Sequence, residues 1–396
     1  MHGGKPPRGG EWETISLIQR LDQRLFAPLV FYGHSNAAVA SLEEAGVPTY
    51  QIPTNAFFQG LYLREASLVY PTIYVRVALN LIKSRVVQSL ARLIEVHCID
   101  FLYCGDNFSK LIGGVAARLT RRRIIGTCHD ALDRGLLGGV LKTLNLLALD
   151  RVIAVSEAVR GSFPMHGPMS RKVVTIPNGV DIQRFDPAHA LSTIRAELNI
   201  DPAAVVIGSV GMLDKNKGQV GLLRAFHELT QRWAEPVHLI IVGDGIEKAR
   251  LEQLAHELDL ERSVHFVGYR RDIPAILKGI DIIVVPTLEY ESFSLAAVEA
   301  MAMQVPVVAS RLGGLAEVVE DGETGLLFPP GDHAQLLAAL RSLITDSALR
   351  ARMGQAGRQR VCERYLATVR DQRIQKEFLS LCAERGRPME MNPHAR

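Results

Sequence analysis

Short apolar runs recur along the whole chain: PLVFY, DFLYC, RIIGTC, DRVIAV, AVVIGSVG, VHLIIVG, SVHFVG, DIIVVP and VPVVAS. Most are followed by a longer stretch in which apolar residues return at helical spacing. After the DKNKG turn, Leu222, Phe226 and Leu229 fall on one face of a helix. Apolar runs without polar alternation belong to strands covered on both faces. The rhythm therefore predicts an α/β protein with parallel sheets and crossover helices.

At 396 residues the chain exceeds the roughly 250 to 300 residues that a single core usually serves, which predicts two domains. The division is expected within 181–203, where DIQRFDPAHA and NIDPAA bring two prolines and helix-capping aspartates. The domains are drawn as 1–185 and 190–362, each with its own Rossmann-like, doubly wound sheet. A helical pattern opens near Glu11, in EWETISLIQRL, with no apolar run before it. A Rossmann-type sheet begins with a strand, so the first strand of the first domain is expected to be missing.

Composition excludes several classes. With 47% hydrophobic and 22% charged residues, the chain has the balance of a globular protein, and disorder is left only the ends. Arg76, Lys83 and Arg85 interrupt the longest apolar stretch, Val69 to Val96, below the roughly 18 residues of a membrane span. MHGGKPPRG at the start lacks the apolar core of a secretory signal, so a cytoplasmic protein is expected. Five cysteines without a CxxC pair fit reduced thiols better than a disulfide frame or a zinc site. Charge is uneven: 21 basic against 14 acidic residues through Phe185, and 24 against 28 after it. A basic half can attract nucleic acid or phospholipid headgroups, or be a solvated face.

Candidate chemistry gathers in the second half. GDG at 243–245 follows the run VHLIIV, where Gly243 and Gly245 allow a tight turn beside a phosphate or sugar. No third glycine completes a dinucleotide fingerprint. Lys217, in DKNKGQ, precedes a helix, so its ammonium can meet a diphosphate there; a solvated turn lysine is the plainer alternative. In LEYESFSLAAVEAMA helix formers dominate from Leu295, which leaves the amides of Phe293, Ser294 and Leu295 as free donors for an anion. Glu299, about one turn inside that helix, can accept from ribose hydroxyls, and Glu291 can reach a sugar. Two solvated glutamates are the bland reading of the pair. Eight residues on a helix span about 12 Å, beyond the roughly 5 to 9.5 Å of hydrolytic carboxylate pairs. Binding roles therefore fit Glu291 and Glu299 better than paired acid and base roles. His129 ends RIIGTC at the carboxyl edge of its sheet, where it can donate to a polar substrate group or to a leaving oxygen. Asn178-Gly179 reads as a turn that accepts positive φ.

Taken in order, PPRGGEWE, GTCHD, DRVIAVSEAVR, KVVTIPNGVDIQRF, VGMLDKNKGQ, VGDG, VHFVGYRRDI, ESFSLAAVEAMA and ASRLGGLAEVVEDGETGLLF resemble the large retaining glycosyltransferase family four, also called glycosyl transferases group 1. The resemblance spans nearly the whole chain. It implies the GT-B fold, two Rossmann-like domains facing across a cleft, the first on the acceptor side and the second binding a nucleotide sugar. It also implies that a helix over 363–385 returns to the first domain, with a loose tail beyond. Carried over by position, it assigns Glu291 to the donor sugar and Glu299 to the ribose. The Ser294 and Leu295 amides and Lys217 hold the diphosphate, Val267 and Tyr269 flank the base, Gly10 closes over the donor, and His129 faces the transferred sugar. Many relatives carry Arg where Met212 stands; Arg270 or Arg271 is the candidate substitute, unless one cation suffices.

The implied activity is retaining transfer of a sugar from a nucleoside-diphosphate-sugar donor to a saccharide or lipid-linked acceptor, in cell-surface polysaccharide or lipopolysaccharide synthesis. No cofactor is implied, because the nucleotide sugar is a substrate, and without an Asp-x-Asp motif no metal is indicated. No nucleic-acid partner is implied either. The basic first domain, through VRVALNLIKSRVVQSLARLI, is a candidate for peripheral contact with the inner membrane face, with packing onto its own sheet as the alternative. Two other readings are a nucleoside-diphosphate-sugar epimerase on the same fold and a donor-binding protein without transfer.

Overall fold

The computed structural model describes residues 9–33, 37–52, 84–129, 146–163, 170–233 and 235–383. The chain forms two compact units. The first comprises Met1–Val155, Arg160–Ile176 and Asp371–Arg396; the second comprises Ser156–Val159 and Pro177–Arg370. Residues 177–203, where proline and capping residues cluster, thus lie inside the second unit. The C-terminal tail beyond Ala383 and the stretch 53–83, with Arg76 and Lys83, lie outside the described residues.

In the first unit the order is α1 (Gly9–Gln19), β1 (Val30–Tyr32), α2 (Ala37–Glu44), β2 (Thr49–Gln51), α3 (Arg85–Val96), β3 (Phe101–Cys104), α4 (Asn107–Leu119), β4 (Arg123–Cys128), β5 (Arg151–Ala154) and β6 (Val173–Thr175), while α5 (Glu157–Gly161) has its first three residues in the second unit. β3 to β6 form a parallel sheet in sequence order, while β1 and β2 pair only with each other. Among the described residues no strand precedes α1. This helix serves both sheets: Ile15 packs with Leu42 and Val30, and Leu17 with Ile125 and Ile153. α3 opens on Ser84, whose hydroxyl accepts from the Val87 N–H, and buries Val86, Val87, Leu90 and Ile94. Over these residues the amphipathic stripe faces the protein itself.

The second unit contains α6 (Ile194–Glu197), β7 (Val205–Val210), α7 (Gln219–Arg232), β8 (Val237–Val242), α8 (Lys248–Glu257), β9 (Val264–Gly268), α9 (Ile273–Lys278), β10 (Ile282–Val285), α10 (Leu295–Ala302), β11 (Val307–Ser310), α11 (Leu315–Val318), β12 (Gly325–Phe328), α12 (His333–Thr345) and α13 (Ser347–Arg364). Its six strands are parallel in the order β12-β11-β10-β7-β8-β9. The winding reverses between β7 and β10, so the chain segments that follow those two strands diverge to opposite faces of the sheet. In an open parallel sheet that divergence is where a ligand fits. Leu222, Phe226 and Leu229 are fully buried in the core beneath it, as their spacing predicts.

The final helix, α14 (Ala367–Ala383), crosses the division at Asp371. In the first unit its Ile374, Phe378 and Leu381 join Leu17, Phe26 and Ile125, and Asp371 accepts from Arg20 Nε at 2.7 Å. In the second unit its start is clamped to the NGVD turn. The Val180 N–H donates to the Tyr365 carbonyl at 2.8 Å, and the Ala367 N–H to the Val180 carbonyl at 3.0 Å. A Cβ on Gly179 would stand 2.6 Å from the Ala367 backbone, so close approach explains this glycine. Gly179→Ala is accordingly expected to destabilise the second unit by about 1 to 3 kcal/mol, the usual cost of overpacking. Thermal or urea unfolding followed by a probe in that unit checks it.

Candidate functional site

β7 ends at Val210; Gly211 and an exposed Met212 follow, then the chain turns inward at Leu213. Asp214 caps a single 3-10 turn over Lys215–Lys217 by accepting from the Lys217 N–H at 3.2 Å. Gly218 follows with φ of +72°, and a Cβ there would lie 2.0 Å from the Pro286 carbonyl oxygen. Only glycine lets this turn rest on the end of β10. Asn216 sutures the two loops: its Nδ2 donates to the Tyr290 carbonyl at 3.0 Å, and its Oδ1 and carbonyl accept from the N–H groups of Glu289 and Leu288, each at 2.8 Å.

The result is an ion pair between the half-buried Lys217 and the buried Glu291, with Nζ 2.6 Å from Oε2. The same oxygen accepts from the hydroxyl of Thr287, itself fully buried, at 3.0 Å. Behind Glu291 the loop after β11 presents two glycines. The Gly314 N–H donates to the Glu291 carbonyl at 2.8 Å, and a Cβ on Gly313 or Gly314 would come within 2.4 Å of the backbone oxygen of Glu291 or Ser292 respectively. The Glu291 backbone is thereby held from both sides.

α10 begins directly after. Ser294 caps it by accepting from the Ala297 N–H at 3.3 Å, and the Phe293 ring packs edge-on against Tyr365. The N–H groups of Phe293 and Ser294 bond no other described group, so they and the Leu295 amide form the donor end of the helix beside Lys217. Glu299 sits one turn in and is half-buried. Loss of water around its carboxyl pushes it up to about 7, partly offset by the Arg184 guanidinium.

Other expected residues have more structural roles. Gly243, with φ of +137°, would place a Cβ 1.8 Å from the Gly211 carbonyl oxygen, and its N–H donates to the Gly268 carbonyl at 2.8 Å. It binds the ends of β7, β8 and β9 together. Val267 lies half-buried on the edge strand β9, with Tyr269 exposed just beyond it. Arg270 is no free second cation: it pairs with Asp272 through two bonds of 2.8 and 2.6 Å and with Glu197 at 3.0 Å. Arg271 is exposed and makes no ion pair among the described residues. Arg270 is thus paired with carboxylates, as Lys217 is. Gly10 and His129 belong to the first unit, Gly10 in the opening turn of α1 and His129 half-buried immediately after β4. Among the described residues, no group of three or more His, Cys, Asp or Glu side chains is placed to hold a metal, and no helix is long and apolar enough to cross a membrane.

Thr287, Asn216, Gly218, Gly313 and Gly314 were not singled out by sequence reasoning. The repeated Gly-Gly in SRLGGL and the Gly directly after DKNK are the signals that point to the glycines. Nothing in spacing alone distinguishes Thr287 from a core strand-end threonine.

Comparison with known proteins agrees with this architecture. Residues 8–184 match the family described as Glycosyltransferase Family 4, and residues 192–360 the one described as Glycosyl transferases group 1. The chain is 31% identical over 324 residues to a D-inositol 3-phosphate glycosyltransferase of Corynebacterium jeikeium, covering 78% of this chain and 73% of that one. It is 30% identical over 308 residues to the GDP-mannose-dependent alpha-(1-6)-phosphatidylinositol monomannoside mannosyltransferase of Mycolicibacterium smegmatis, covering 74% and 80%. Another curated inositol phosphate relative matches over only 46% of its length. The crystal structure of Anabaena HepE in complex with UDP and glucose superposes with a TM-score of 0.78 at 25% identity, over 96% of this chain and 98% of that one. The chain belongs to glycosyltransferase family four, and its α/β fold of parallel sheets is that of the GT-B enzymes.

The raised Glu299 carboxyl makes stability depend on pH. The folded protein holds a proton there up to about 7, whereas the unfolded chain releases it near about 4.3. This contribution is complete below the unfolded value and is lost as pH rises through about 7. Glu299→Gln is therefore expected to flatten the fall in Tm of the second unit between pH 5 and 8, by on the order of 2 to 3 kcal/mol at about 1.4 kcal/mol per unit. Differential scanning fluorimetry across that range is the check.

Proposed function

We propose that the protein is a retaining, metal-independent glycosyltransferase that moves a sugar from a nucleoside-diphosphate sugar to a saccharide or lipid-linked acceptor. The observation that carries this reading is the Lys217–Glu291 pair, 2.6 Å long, beside the amide end of α10 at the winding reversal of the sheet. A departing diphosphate develops negative charge, and fixed donors aimed at that charge lower the barrier. Lys217 and the Phe293, Ser294 and Leu295 amides supply such donors. Glu299 takes the ribose hydroxyls, Glu291 holds the transferred sugar, and Val267 and Tyr269 flank the base. Gly10 and His129 serve the acceptor half, with His129 toward the transferred sugar.

Before donor arrives, Glu291 pairs with the half-buried Lys217, and the pair spares the buried Glu291 carboxylate an uncompensated charge. A diphosphate takes over that role, and Glu291 is released to the sugar hydroxyls. Retention is assigned without an enzyme nucleophile, as front-face attack requires none.

The HepE complex with UDP and glucose supports a uridine nucleotide, and the GDP-mannose dependence of the mycobacterial relative supports a guanosine one. Names of the relatives also support acceptors that carry inositol phosphate or phosphatidylinositol. These fit a cytoplasmic enzyme, peripheral on the inner membrane face, that builds lipid-linked or cell-surface glycans. An epimerase would instead isomerise donor without acceptor, and a binding protein would hold nucleotide without turnover.

Turnover of UDP-glucose and GDP-mannose with phosphatidylinositol or saccharide acceptors tests the reading. Lys217→Ala and Glu291→Gln are each expected to lower kcat by about 10²- to 10³-fold, and EDTA to leave the rate unchanged. Undiminished turnover in both variants would refute it.

A further inference from the structure

Lys110 lies in the first turns of α4 with only 2% of its surface exposed, and no carboxylate pairs with it among the described residues. Lysine rarely reaches such depth unless it is paired. Its Nζ donates instead to a thiol, the Sγ of Cys128 at the end of β4, at 3.5 Å. Neither this nitrogen nor this sulfur makes another hydrogen bond among the described residues.

Both elements that bring the two atoms together are fixed. Asp106 caps α4: its Oδ1 accepts from the N–H groups of Phe108 and Ser109, each at 2.9 Å, and the Asp106 N–H donates to the Ser109 hydroxyl at 3.3 Å. The carboxylate nearest to Lys110 in sequence is thus spent on the helix start. The Lys110 N–H donates to the Asp106 carbonyl at 3.1 Å, so the lysine stem leaves from an ordered turn. On the sheet side, Gly126 and Cys128 share one face of β4. A Cβ on Gly126 would stand 3.3 Å from Lys110 Cε and 2.6 Å from Leu149 Cδ1, so the glycine leaves the stem its path to the sulfur. β4 itself is paired on both edges, with β3 and with β5.

Other thiols are placed differently. Cys104, on the neighbouring strand, is buried, and loss of water pushes its thiol up to about 12, which keeps it protonated and inert. Cys98 and Cys362 are exposed, and neither bonds a lysine among the described residues. Cys128 retains 9% exposure against 2% for Lys110, so a molecule as small as a peroxide meets the sulfur first.

We propose that Lys110 and Cys128 form a peroxide-sensitive modification site, where oxidation joins Nζ to Sγ as a sulfenamide. A peroxide passes one oxygen to sulfur: the S–O bond forms, the O–O bond breaks, and water leaves with the thiol proton, giving a sulfenic acid. The Nζ lone pair then attacks sulfur, the S–O bond breaks, and hydroxide departs as water with a proton from nitrogen. Each link consumes one peroxide and yields two waters, sulfur giving up two electrons; a lysine that starts as ammonium also releases one proton to solvent. Sulfenic acids condense in the same way with backbone nitrogen. Here the amine is already held against the sulfur, which makes the second step intramolecular. A thiol reductant reverses the link by attacking sulfur and freeing the amine. His129 follows Cys128 directly, so the modification falls beside a residue assigned to the acceptor half, and the site stands without that assignment.

The test treats the folded protein with hydrogen peroxide at about pH 8, blocks the remaining thiols, and maps tryptic peptides by mass spectrometry with and without dithiothreitol. The expected result is a pair of peptides joined through Lys110 and Cys128, lighter than their sum by about 2 Da. Cleavage after Lys110 is lost in that pair, and dithiothreitol restores it. Lys110→Met and Cys128→Ala each abolish the pair, as does treating the urea-unfolded chain, where proximity is gone. The wild-type map assigns the link even where a variant folds poorly. Four results overturn the proposal: an unmodified Cys128, a Cys128 sulfinic or sulfonic acid with Lys110 cleaved normally, a disulfide between Cys104 and Cys128, or an equal yield of link from the unfolded chain.

Discussion

Gly218 lies with no room for a Cβ against the Pro286 carbonyl, and the donor half of the site depends on that contact. The turn leaving β7 and the turn leaving β10 belong to strands adjacent in the sheet but 72 residues or more apart in sequence at their ends, from Val210 to Ile282. Asn216 stitches them by three hydrogen bonds, and Lys217 can then meet Glu291 at ion-pair distance. A side chain in place of the glycine would part the turns, and the buried Glu291 would be left without its cation. Stranding a buried charge costs more than forming the pair gains, so backbone proximity comes first and electrostatics follows.

The same logic recurs at Gly243 and at Gly313 and Gly314, where the backbones of neighbouring loops touch without intervening side chains. Glycine here trades chain entropy for closeness. Around this tight rim the titratable groups take different characters. Glu291, beside an ammonium and a hydroxyl, is provided for, while burial around the half-buried Glu299 raises its carboxyl.

Much of this was legible in the residues. Fully apolar strands and the Leu222, Phe226, Leu229 spacing announced a buried parallel sheet with crossover helices, because the burial of both faces leaves a continuous apolar record. Ser294 and the helix-forming run after it located the donor end of α10, since capping is local chemistry. The pairing of Arg270 was not legible for the opposite reason. Its partners Asp272 and Glu197 include one 73 residues away, and no pattern near Arg270 reports a distant carboxylate. Thr287 is invisible for a related cause: a threonine at a strand end reads the same whether or not a carboxylate stands above it.

The sequence by itself determined the class of the fold, the strands and helices that build it, and the helix terminus where an anion can rest, because periodicity and capping act over a few residues. Only the tertiary structure decided that Lys217 faces Glu291, that burial raises the Glu299 carboxyl, that Arg270 pairs with Asp272 and Glu197, and that Arg184 reaches the loop after β9. Those are matters of charge and contact between segments far apart in the chain. Coulomb energy and steric exclusion depend on separation in space, which residue order does not record.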